Sequence, residues 1–321
     1  MPAIITHDAF GQDAYARQYA EIGSTKDEVE AFLLGNQGPD PLFYSVANPL
    51  LAPVHKLGGL MHHDKPTEII AAFKQATDAL DDADRSIGRA YALGFLGHYV
   101  LDSTMHPLVY FHEYALCDAG EPGLSRDDGN EVHAVIESEY DEMVLTAKRG
   151  ETVATFNPAV NILKGSDHML SIVSTMYANV VFSVYGKIIP VHAFGDAVKC
   201  FRLVQHLFHS GTGIKREAIA SIEELVRPYS FYRAMSHRAI LTDTCAYDNR
   251  EHATWENPFT GEQSTDSFWD RYEHASTRFD EARKAFDEDS FDLAAARAIT
   301  GDLNFSGDPV EAKLLSVDAV E

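Results

Sequence analysis

An apolar stretch that leads into three regularly spaced metal-ligand residues most constrains how this chain can fold. Residues 91–96 are almost wholly apolar, as expected of a buried helix, and His98, Asp102 and His106 follow at intervals of four. Side chains four residues apart project from the same face of an α-helix. A buried imidazole or carboxylate needs a partner or a metal ion, because burying it bare is costly. The stretch therefore predicts a long buried helix that carries a metal site.

The length of this stretch predicts more than one metal ion. The separation of His98 and His106 corresponds to a rise of about 12 Å along a helix. Zinc–nitrogen bonds are only ~2.0–2.1 Å long, so a single ion does not reach both histidines. We therefore expect the two histidines to bind different ions, with Asp102 between them and able to bridge.

A second pair with the same spacing lies further along the chain. His133 and Glu137 share a helix face, and Asp128 or Asn130 in the polar loop before them (residues 118–130) is a candidate N-cap. The histidines of the second half of the chain have no comparable pairing with a carboxylate in an apolar setting. We therefore place the functional site in the first half.

Helical periodicity extends over most of the chain and predicts an all-α fold. Thr25 and Glu28 form a candidate capping box for an early helix, and no strand pattern is sustained. The long metal-carrying helix should end or kink at His106, because Pro107 lacks an amide donor and disfavours helix at the residue before it. Asp40 lies between two prolines, so we expect an extended loop there.

The expected organisation is a single all-α domain over residues 1–321. The metal-ligand half covers about 1–150, supporting helices cover about 151–300, and an acidic tail over 301–321 is expected to be frayed. Residues 247–266 form an irregular connection. The predicted helices are 8–22, 25–34, 67–82, 86–106, 159–186, 190–210, 214–226, 228–242, 267–287 and 290–300, together with one that carries His133 and Glu137.

The charge of the chain argues against some partners. Lys and Arg number 26 and Asp and Glu number 49, which gives a formal charge of −23. Such a surface repels nucleic acid and anionic membranes, so we expect no nucleic-acid partner and no stable membrane insertion. The sequence has no signal peptide and no run of the ~20 apolar residues that span a membrane, so a cytoplasmic protein is expected.

Five short motifs occur in a fixed order along the chain: His7 and residues 35–40, 61–62, 97–107 and 133–137. This ordered set resembles the zinc-dependent phospholipase C family, in particular its bacterial branch without a secretion signal. The same superfamily includes the single-strand nucleases of the S1/P1 type. A later motif, residues 255–262 with Ser267 and Phe268, is similar to one in the same branch. The resemblance implies an all-α multi-helix bundle of the phospholipase C and P1 nuclease type.

The resemblance also implies which residues bind zinc. The implied ligands are Asp40, His62 (with His63 as the alternative), His98 and Asp102 for one ion; His106, His133 and Glu137 for a second; and His7 with a shared Asp102 for a third. Secreted members complete the third site with an N-terminal Trp, whereas this chain begins Met1-Pro2. We therefore expect two or three Zn²⁺ ions.

The implied activity is hydrolysis of a phosphoric ester. Zinc lowers the pKa of bound water towards ~7, and paired ions clamp both oxygens of an in-line phosphoryl displacement. The expected nucleophile is a metal-bridging hydroxide. Asp40 is the expected catalytic residue, which binds one ion and orients or deprotonates the water. The expected substrate is a phospholipid or a small phosphoester.

Two alternatives stay open on the sequence alone. One is a nuclease, a soluble phosphodiesterase or a phosphatase that uses the same ions. The other is a non-catalytic helical protein that zinc only stabilises. Structural zinc sites usually have four protein ligands, often cysteines, whereas the set of His106, His133 and Glu137 offers three, which favours catalysis. The sequence predicts no oligomeric state.

Overall fold

The computed structural model describes residues 3–51, 54–120, 124–223 and 230–310. Within these ranges the chain is mostly helical and contains one two-stranded hairpin, which confirms the all-α prediction. None of the described helices is both long enough and apolar enough to cross a membrane.

Thirteen helices and two short strands follow one another along the described part of the chain. They are α1 Ile4–Ile22, α2 Lys26–Gly35, α3 His55–His63, α4 Pro66–Asp78, α5 Asp82–Cys117, α6 Gly129–Arg149, α7 Pro158–Asn161, α8 Asp167–Tyr185, α9 Ala193–Phe208, α10 Ile214–Glu223, α11 Phe231–Ala234, β1 Trp255–Glu256, β2 Gln263–Ser264, α12 Phe268–Phe286 and α13 Leu293–Thr300. Short 3-10 helices cover Asp40–Ala47, Pro49–Leu51 and Arg126–Asp128. The two strands are antiparallel, with Trp255 opposite Ser264.

The chain divides into two compact units, each assembled from separate stretches of sequence. The first unit comprises Met1–Ala9, Met105–Ile162 and Arg202–Glu273, and the second comprises Phe10–Thr104, Leu163–Phe201 and His274–Glu321. Each unit contains residues from both the predicted metal-ligand half (about 1–150) and the predicted supporting half (about 151–300). The expectation of a single domain stays a prediction.

In the second unit, α2 and α5 approach closely at a pair of glycines. A Cβ on Gly35 would lie 2.4 Å from the carbonyl oxygen of Tyr91, and one on Gly94 would lie 2.1 Å from that of Phe32. Both distances are well inside van der Waals contact, so larger residues would force the helices apart. The approach places the end of α2 against the turn of α5 that carries His98.

Aromatic side chains fill the core of the second unit. The rings of Phe73 and Phe95 have centroids 4.3 Å apart, and Tyr177 stacks on Phe194 at 3.9 Å. Such rings bury large apolar areas and pack in a few preferred geometries. The first part of α5 therefore packs against α4 through Phe95. Its Tyr91 contacts Tyr177 of α8 and Phe194 of α9.

In the first unit, a buried carboxylate on α6 fixes the start of α1. Asp141 accepts hydrogen bonds from the backbone amides of Ile5 (3.1 Å) and Thr6 (2.7 Å), and its Oδ2 lies 2.8 Å from Nε2 of His237. The first amides of a helix have no partner within that helix, and here the carboxylate supplies one. Asp141 lies one turn after Glu137, so this contact ties the start of α1 to the helix of the second predicted ligand pair.

The prediction that the long helix ends at His106 is wrong, because α5 continues through Pro107 to Cys117, and the alternative of a kink there stays a prediction. A proline inside a helix costs about 3 kcal/mol. The residues that follow, Leu108 and Val109, are only 0 % and 2 % exposed. Burying two such side chains contributes roughly 1.5–3 kcal/mol each, which offsets the cost of the proline.

The helix predicted over 228–242 is also wrong. Its first two residues lie outside the described ranges, and the only helix in the remainder is the single turn α11. The amide of Arg238 donates to the carboxylate of Glu142, and the amide of Thr242 donates to Oγ1 of Thr146 at 3.2 Å. Because these amides bond to α6, they do not continue a helix of their own.

The helix predicted over 159–186 is two helices, α7 and α8. Ser166 caps the second, since its Oγ accepts a hydrogen bond from the amide of Met169 at 3.1 Å. A serine followed by a helical pattern is an N-cap signal, and it decides the start of α8 here.

The capping box of Thr25 and Glu28 is confirmed at the start of α2. Of the two candidate N-caps of α6, the structure has Asp128 at the N-cap position. Its side chain makes no capping bond to α6 and instead completes a capping box with Ser125 one turn earlier. Most other helix predictions are confirmed to within a few residues. The sequence did not predict α3, and the last part of the predicted 214–226 helix lies outside the described residues.

Candidate metal centres

Four metal-ligand side chains of the second unit lie together in its core. This set, which we call the His62 group, is Asp40, His62, His98 and Asp102. All four are buried, with exposed fractions of 3 %, 6 %, 0 % and 3 %. Nε2 of His62 lies 3.1 Å from Oδ1 of Asp40 and 3.8 Å from Oδ2 of Asp102. Nε2 of His98 lies 3.9 Å and 3.3 Å from the same two oxygens.

These separations fit the edges of a tetrahedral zinc site. Ligand atoms ~2.0–2.1 Å from one zinc ion lie about 3.3–3.4 Å from one another, and the four measured separations fall on both sides of that value. Oδ1 of Asp40 and Nε2 of His62 are buried and make no hydrogen bond of ordinary geometry among the described residues. Buried polar atoms in that state call for an ion or a water. The side chains of the His62 group therefore fit a zinc ion.

A hydrogen bond from Nδ1 to a backbone carbonyl orients the ring of each histidine in this group. Nδ1 of His62 lies 2.7 Å from the carbonyl oxygen of Gly58, and Nδ1 of His98 lies 3.1 Å from that of Asn36. A carbonyl accepts but cannot donate, so each Nδ1 carries the proton. The lone pair of each Nε2 therefore points into the group, which is the arrangement of metal-ligating histidines.

Gly38 makes room for His98. It has φ +49°, and a Cβ there would lie 2.1 Å from Cδ2 of the His98 ring. The carbonyl oxygen of Gly38 accepts hydrogen bonds from the hydroxyls of Tyr177 (2.9 Å) and Tyr91 (3.3 Å). These two buried tyrosines fix the backbone just before Asp40.

The extended loop predicted around Asp40 is wrong, because Asp40 begins a 3-10 helix. Its amide donates to the carbonyl of Gln37 at 3.1 Å, and the amide of Leu42 donates to that of Pro39 at 2.9 Å. These short-range bonds wind the backbone despite the flanking prolines. The winding turns the carboxyl group of Asp40 towards His62.

His62, rather than the alternative His63, faces the other ligands. Both lie at the end of α3, where consecutive side chains point about 100° apart. The side chain of His62 is buried in the group, whereas that of His63 is exposed.

Residues 301–310 pack against the His62 group, so the prediction of a frayed tail is wrong over this range. The amide of Phe305 donates to the carbonyl oxygen of His62 at 3.1 Å. The centroid of its ring lies 5.0 Å from that of His62 and 5.7 Å from that of His98. Residues 311–321 lie outside the described ranges. Sequence reasoning missed Phe305, and its one signal was an aromatic residue near the end of the chain.

A second set of ligand residues lies within the first unit. This set, the His133 group, is His106, His133 and Glu137. Oε1 of Glu137 lies 3.5 Å from Nε2 of His106 and 3.4 Å from Nε2 of His133, again close to the ligand spacing of a zinc site. Oε2 of Glu137 is buried and makes no hydrogen bond among the described residues. Three protein ligands leave one position of a tetrahedral ion open.

The His133 group has a partner that the sequence did not predict. Nδ1 of His133 lies 2.9 Å from Oε2 of Glu113, so this ring too presents Nε2 to the group. The only sequence signal was the spacing of seven residues between His106 and Glu113, which puts both on one face of α5.

Contacts with histidines lower the pKa of two of these carboxylates, Glu137 and Asp40. Burial raises the pKa of Glu137, but the charges and hydrogen bonds of His133 and His106 outweigh it and hold that pKa well below its usual range. Burial lowers the pKa of His133, but Glu137 and Glu113 raise it overall. Burial raises the pKa of Asp40, but its contact with His62 and the charge of His98 lower it overall.

Aromatic rings line one side of the His133 group. The centroid of Tyr110 lies 5.1 Å from that of His133 and 5.1 Å from that of Phe259. Phe259 lies in the turn between β1 and β2, within the late motif noted in the sequence. The late motif therefore contributes to the surroundings of this group.

His7, the predicted ligand of a third zinc ion, lies in α1 and is 2 % exposed. It belongs to the first unit, whereas Asp102, its predicted shared ligand, belongs to the second. The third zinc ion stays a prediction.

Comparisons with models of protein families, with curated proteins and with solved structures find no match to this chain. The resemblance to the zinc-dependent phospholipase C family stays a prediction, supported by the motif residues themselves.

Proposed function

We propose that this chain is a zinc-dependent phosphoric ester hydrolase that cleaves a phosphodiester in the manner of a phospholipase C. One observation supports the proposal above others. Two groups of buried or mostly buried histidines and carboxylates hold their ligand atoms at the spacing of metal ligands, and one group has only three members. Histidine with carboxylate is a ligand set that suits zinc.

The two groups differ in how many ligands they offer. The His62 group offers four buried ligands, which is the pattern of a closed site. The His133 group offers three, and the side chain of His133 remains 12 % exposed. We assign the substrate oxygen to the open position of the His133 group. A zinc ion held by His106, His133 and Glu137 would supply Lewis acidity there and polarise a phosphoryl oxygen.

Asp40 is the proposed catalytic carboxylate. Its lowered pKa keeps it ionised at neutral pH, so it can act as a ligand and as a hydrogen-bond acceptor. A carboxylate of low pKa is a weak base at that pH. Of the two roles expected for Asp40, orienting the attacking water is therefore favoured over deprotonating it.

The proposed substrates are a phospholipid headgroup diester or a small soluble phosphoester. A nuclease is the alternative on the same ions, and the half-buried rings of Tyr110 and Phe259 beside the His133 group favour it, because nucleobases stack on aromatic side chains. The charge of −23 counts against it.

The test is hydrolysis of a substrate panel by purified protein of measured zinc content. The panel contains bis(p-nitrophenyl) phosphate, a choline phospholipid and single-stranded DNA. At least one member should be cleaved, and a chelator should abolish the activity until zinc is restored. Zinc-loaded protein that cleaves none of them contradicts the proposal.

The adjacent histidines of α3 provide a matched pair of variants. His62→Ala should lose one zinc ion per chain together with the activity, because it removes a buried ligand. His63→Ala removes an exposed imidazole one residue away and should keep both. Equal zinc loss in the two variants would contradict the assignment of His62.

The His62 group offers four protein ligands, which is typical of structural zinc sites. This favours a second candidate function, a helical protein that zinc only stabilises. In that case the chelator should lower the unfolding temperature of the wild-type protein while the substrate panel stays intact at every zinc loading. Activity that depends on the open His133 group excludes this candidate.

A further inference from the structure

Glu113 is a buried carboxylate on α5 that belongs to neither predicted ligand set. It is 7 % exposed, and its Oε2 lies 2.9 Å from Nδ1 of His133. His133 in turn presents Nε2 to Glu137 at 3.4 Å. The three side chains therefore form a continuous carboxylate–imidazole–carboxylate chain whose inner end is the candidate zinc position.

This partner differs from those of the other candidate ligands. His62 and His98 donate from Nδ1 to the neutral carbonyls of Gly58 and Asn36. His133 faces a charged acceptor, and charge-assisted hydrogen bonds are roughly twice as strong as neutral ones. An imidazole with a carboxylate behind it is a more basic ligand.

The charged partner of His133 occurs in the group that has fewer carboxylate ligands. The His62 group contains Asp40 and Asp102, whose two negative charges balance one Zn²⁺ ion. The His133 group contains a single carboxylate ligand, Glu137. Glu113 supplies the missing negative charge one imidazole away and leaves the fourth position of the ion open.

The surroundings of Glu113 hold its carboxylate in place. A Cβ on Gly129, the first residue of α6, would lie 2.7 Å from Oε1 of Glu113, so the carboxylate rests directly on the helix backbone. The positive end of a helix dipole favours negative charge at that position.

From these contacts we propose that Glu113 is a positioning residue that aims His133 and supplies negative charge to the zinc ion of the His133 group. The inference rests on the proposed zinc-dependent function. If the inference is right, Glu113 affects the binding of the zinc ion in the His133 group and not of the one in the His62 group. Its effect on zinc binding then requires His133.

The test measures zinc affinity in chelator-stripped protein by competition with a chromophoric chelator, with Zn²⁺ alone as the probe. Glu113→Ala should weaken one zinc by about 10–100-fold and leave the other unchanged. Glu113→Gln keeps an acceptor oxygen without the charge, so it should lose less affinity. Glu142→Gln is the matched control: Glu142 is a buried carboxylate of the same unit that pairs with Arg238, and its loss should leave both affinities unchanged.

A double variant separates positioning from general damage. His133→Ala should lose the same zinc that Glu113→Ala weakens, and adding Glu113→Ala to it should have no further effect on the remaining zinc. Unchanged affinities in Glu113→Ala overturn the proposal, and so does an equal weakening of both zinc ions. The proposed hydrolase function fails on a different result, namely wild-type protein that binds both zinc ions and cleaves no phosphoester.

Discussion

Replacing Gly38 with alanine tests the architecture of the His62 group without changing a ligand. The new Cβ would lie 2.1 Å from Cδ2 and 2.5 Å from Cγ of His98. The ring cannot retreat without breaking the 3.1 Å contact of its Nδ1 with the carbonyl of Asn36. Gly38→Ala should therefore displace His98 and weaken the zinc ion of this group.

The expected cost has two parts. Gly38 has φ +49°, and holding a residue with a Cβ in the left-handed region costs about 1–2 kcal/mol. Overpacking a buried site costs a further ~1–3 kcal/mol. The metal-free variant should therefore lose about 2–5 kcal/mol of unfolding free energy.

Gly186 supplies the matched control in the same unit. It has φ +64°, and no atom lies within 4 Å of a Cβ placed there. Gly186→Ala should therefore lose only about 1–2 kcal/mol from the left-handed backbone and should keep its zinc. The difference between the two variants isolates the clash with His98.

The assay is urea unfolding of chelator-stripped protein, followed by zinc titration of the folded variants. If Gly38→Ala binds both zinc ions as tightly as the wild type, and is no less stable than Gly186→Ala, the placement of His98 is wrong.

Three further predictions concern the same groups. Asp102→Asn should lower the zinc content measured by elemental analysis, and full retention of metal and activity would refute its role as a ligand. Tyr177→Phe should lower the unfolding free energy in urea by about 1 kcal/mol, because it removes a hydrogen bond to Gly38, and an unchanged stability would contradict that bond. In metal-free protein, the pKa of Glu137 lies below its ordinary value of 4.5, and the pKa of His133 lies above its ordinary value of 6.5. Burial opposes both shifts, but the contacts between the charged groups outweigh it. Their attraction should therefore stabilise the fold fully between pH 4.5 and 6.5, and be lost as the pH falls below 4.5 or rises above 6.5 through the raised pKa. The stability difference between wild type and Glu137→Gln, measured in urea with chelator present, should peak in that window, and a flat difference would refute the pairing.

The ligand pairs could be predicted from the sequence because their spacing is local. Residues four apart share a helix face wherever the helix lies, so the pairing of His98 with Asp102 and of His133 with Glu137 needs no tertiary information. The capping box of α2 was predictable for the same reason.

The partners that complete each group are distant in sequence and could not be predicted in this way. Glu113 meets His133 across a polar loop, and Phe305 meets His62 from more than two hundred residues away. Which face of a distant segment packs on a histidine depends on the tertiary fold, and no local pattern encodes it.

The predicted helix end at His106 and the predicted extended loop at Asp40 failed because other contacts outweighed local preference. Pro107 favours a helix end, but burial of the residues after it keeps α5 continuous. Asp40 lies between two prolines, but the backbone bonds from Gln37 to Leu42 wind it into a 3-10 helix. Propensity is a weak guide wherever buried contacts compete with it.

The most direct test of the central claim is a crystal structure of the zinc-loaded protein with an anomalous difference map at the zinc edge. The account predicts one peak ~2.0–2.1 Å from the inward-facing atoms of the His62 group and another at the same distance from those of the His133 group. Zinc found only at other positions, with neither group occupied, would contradict it.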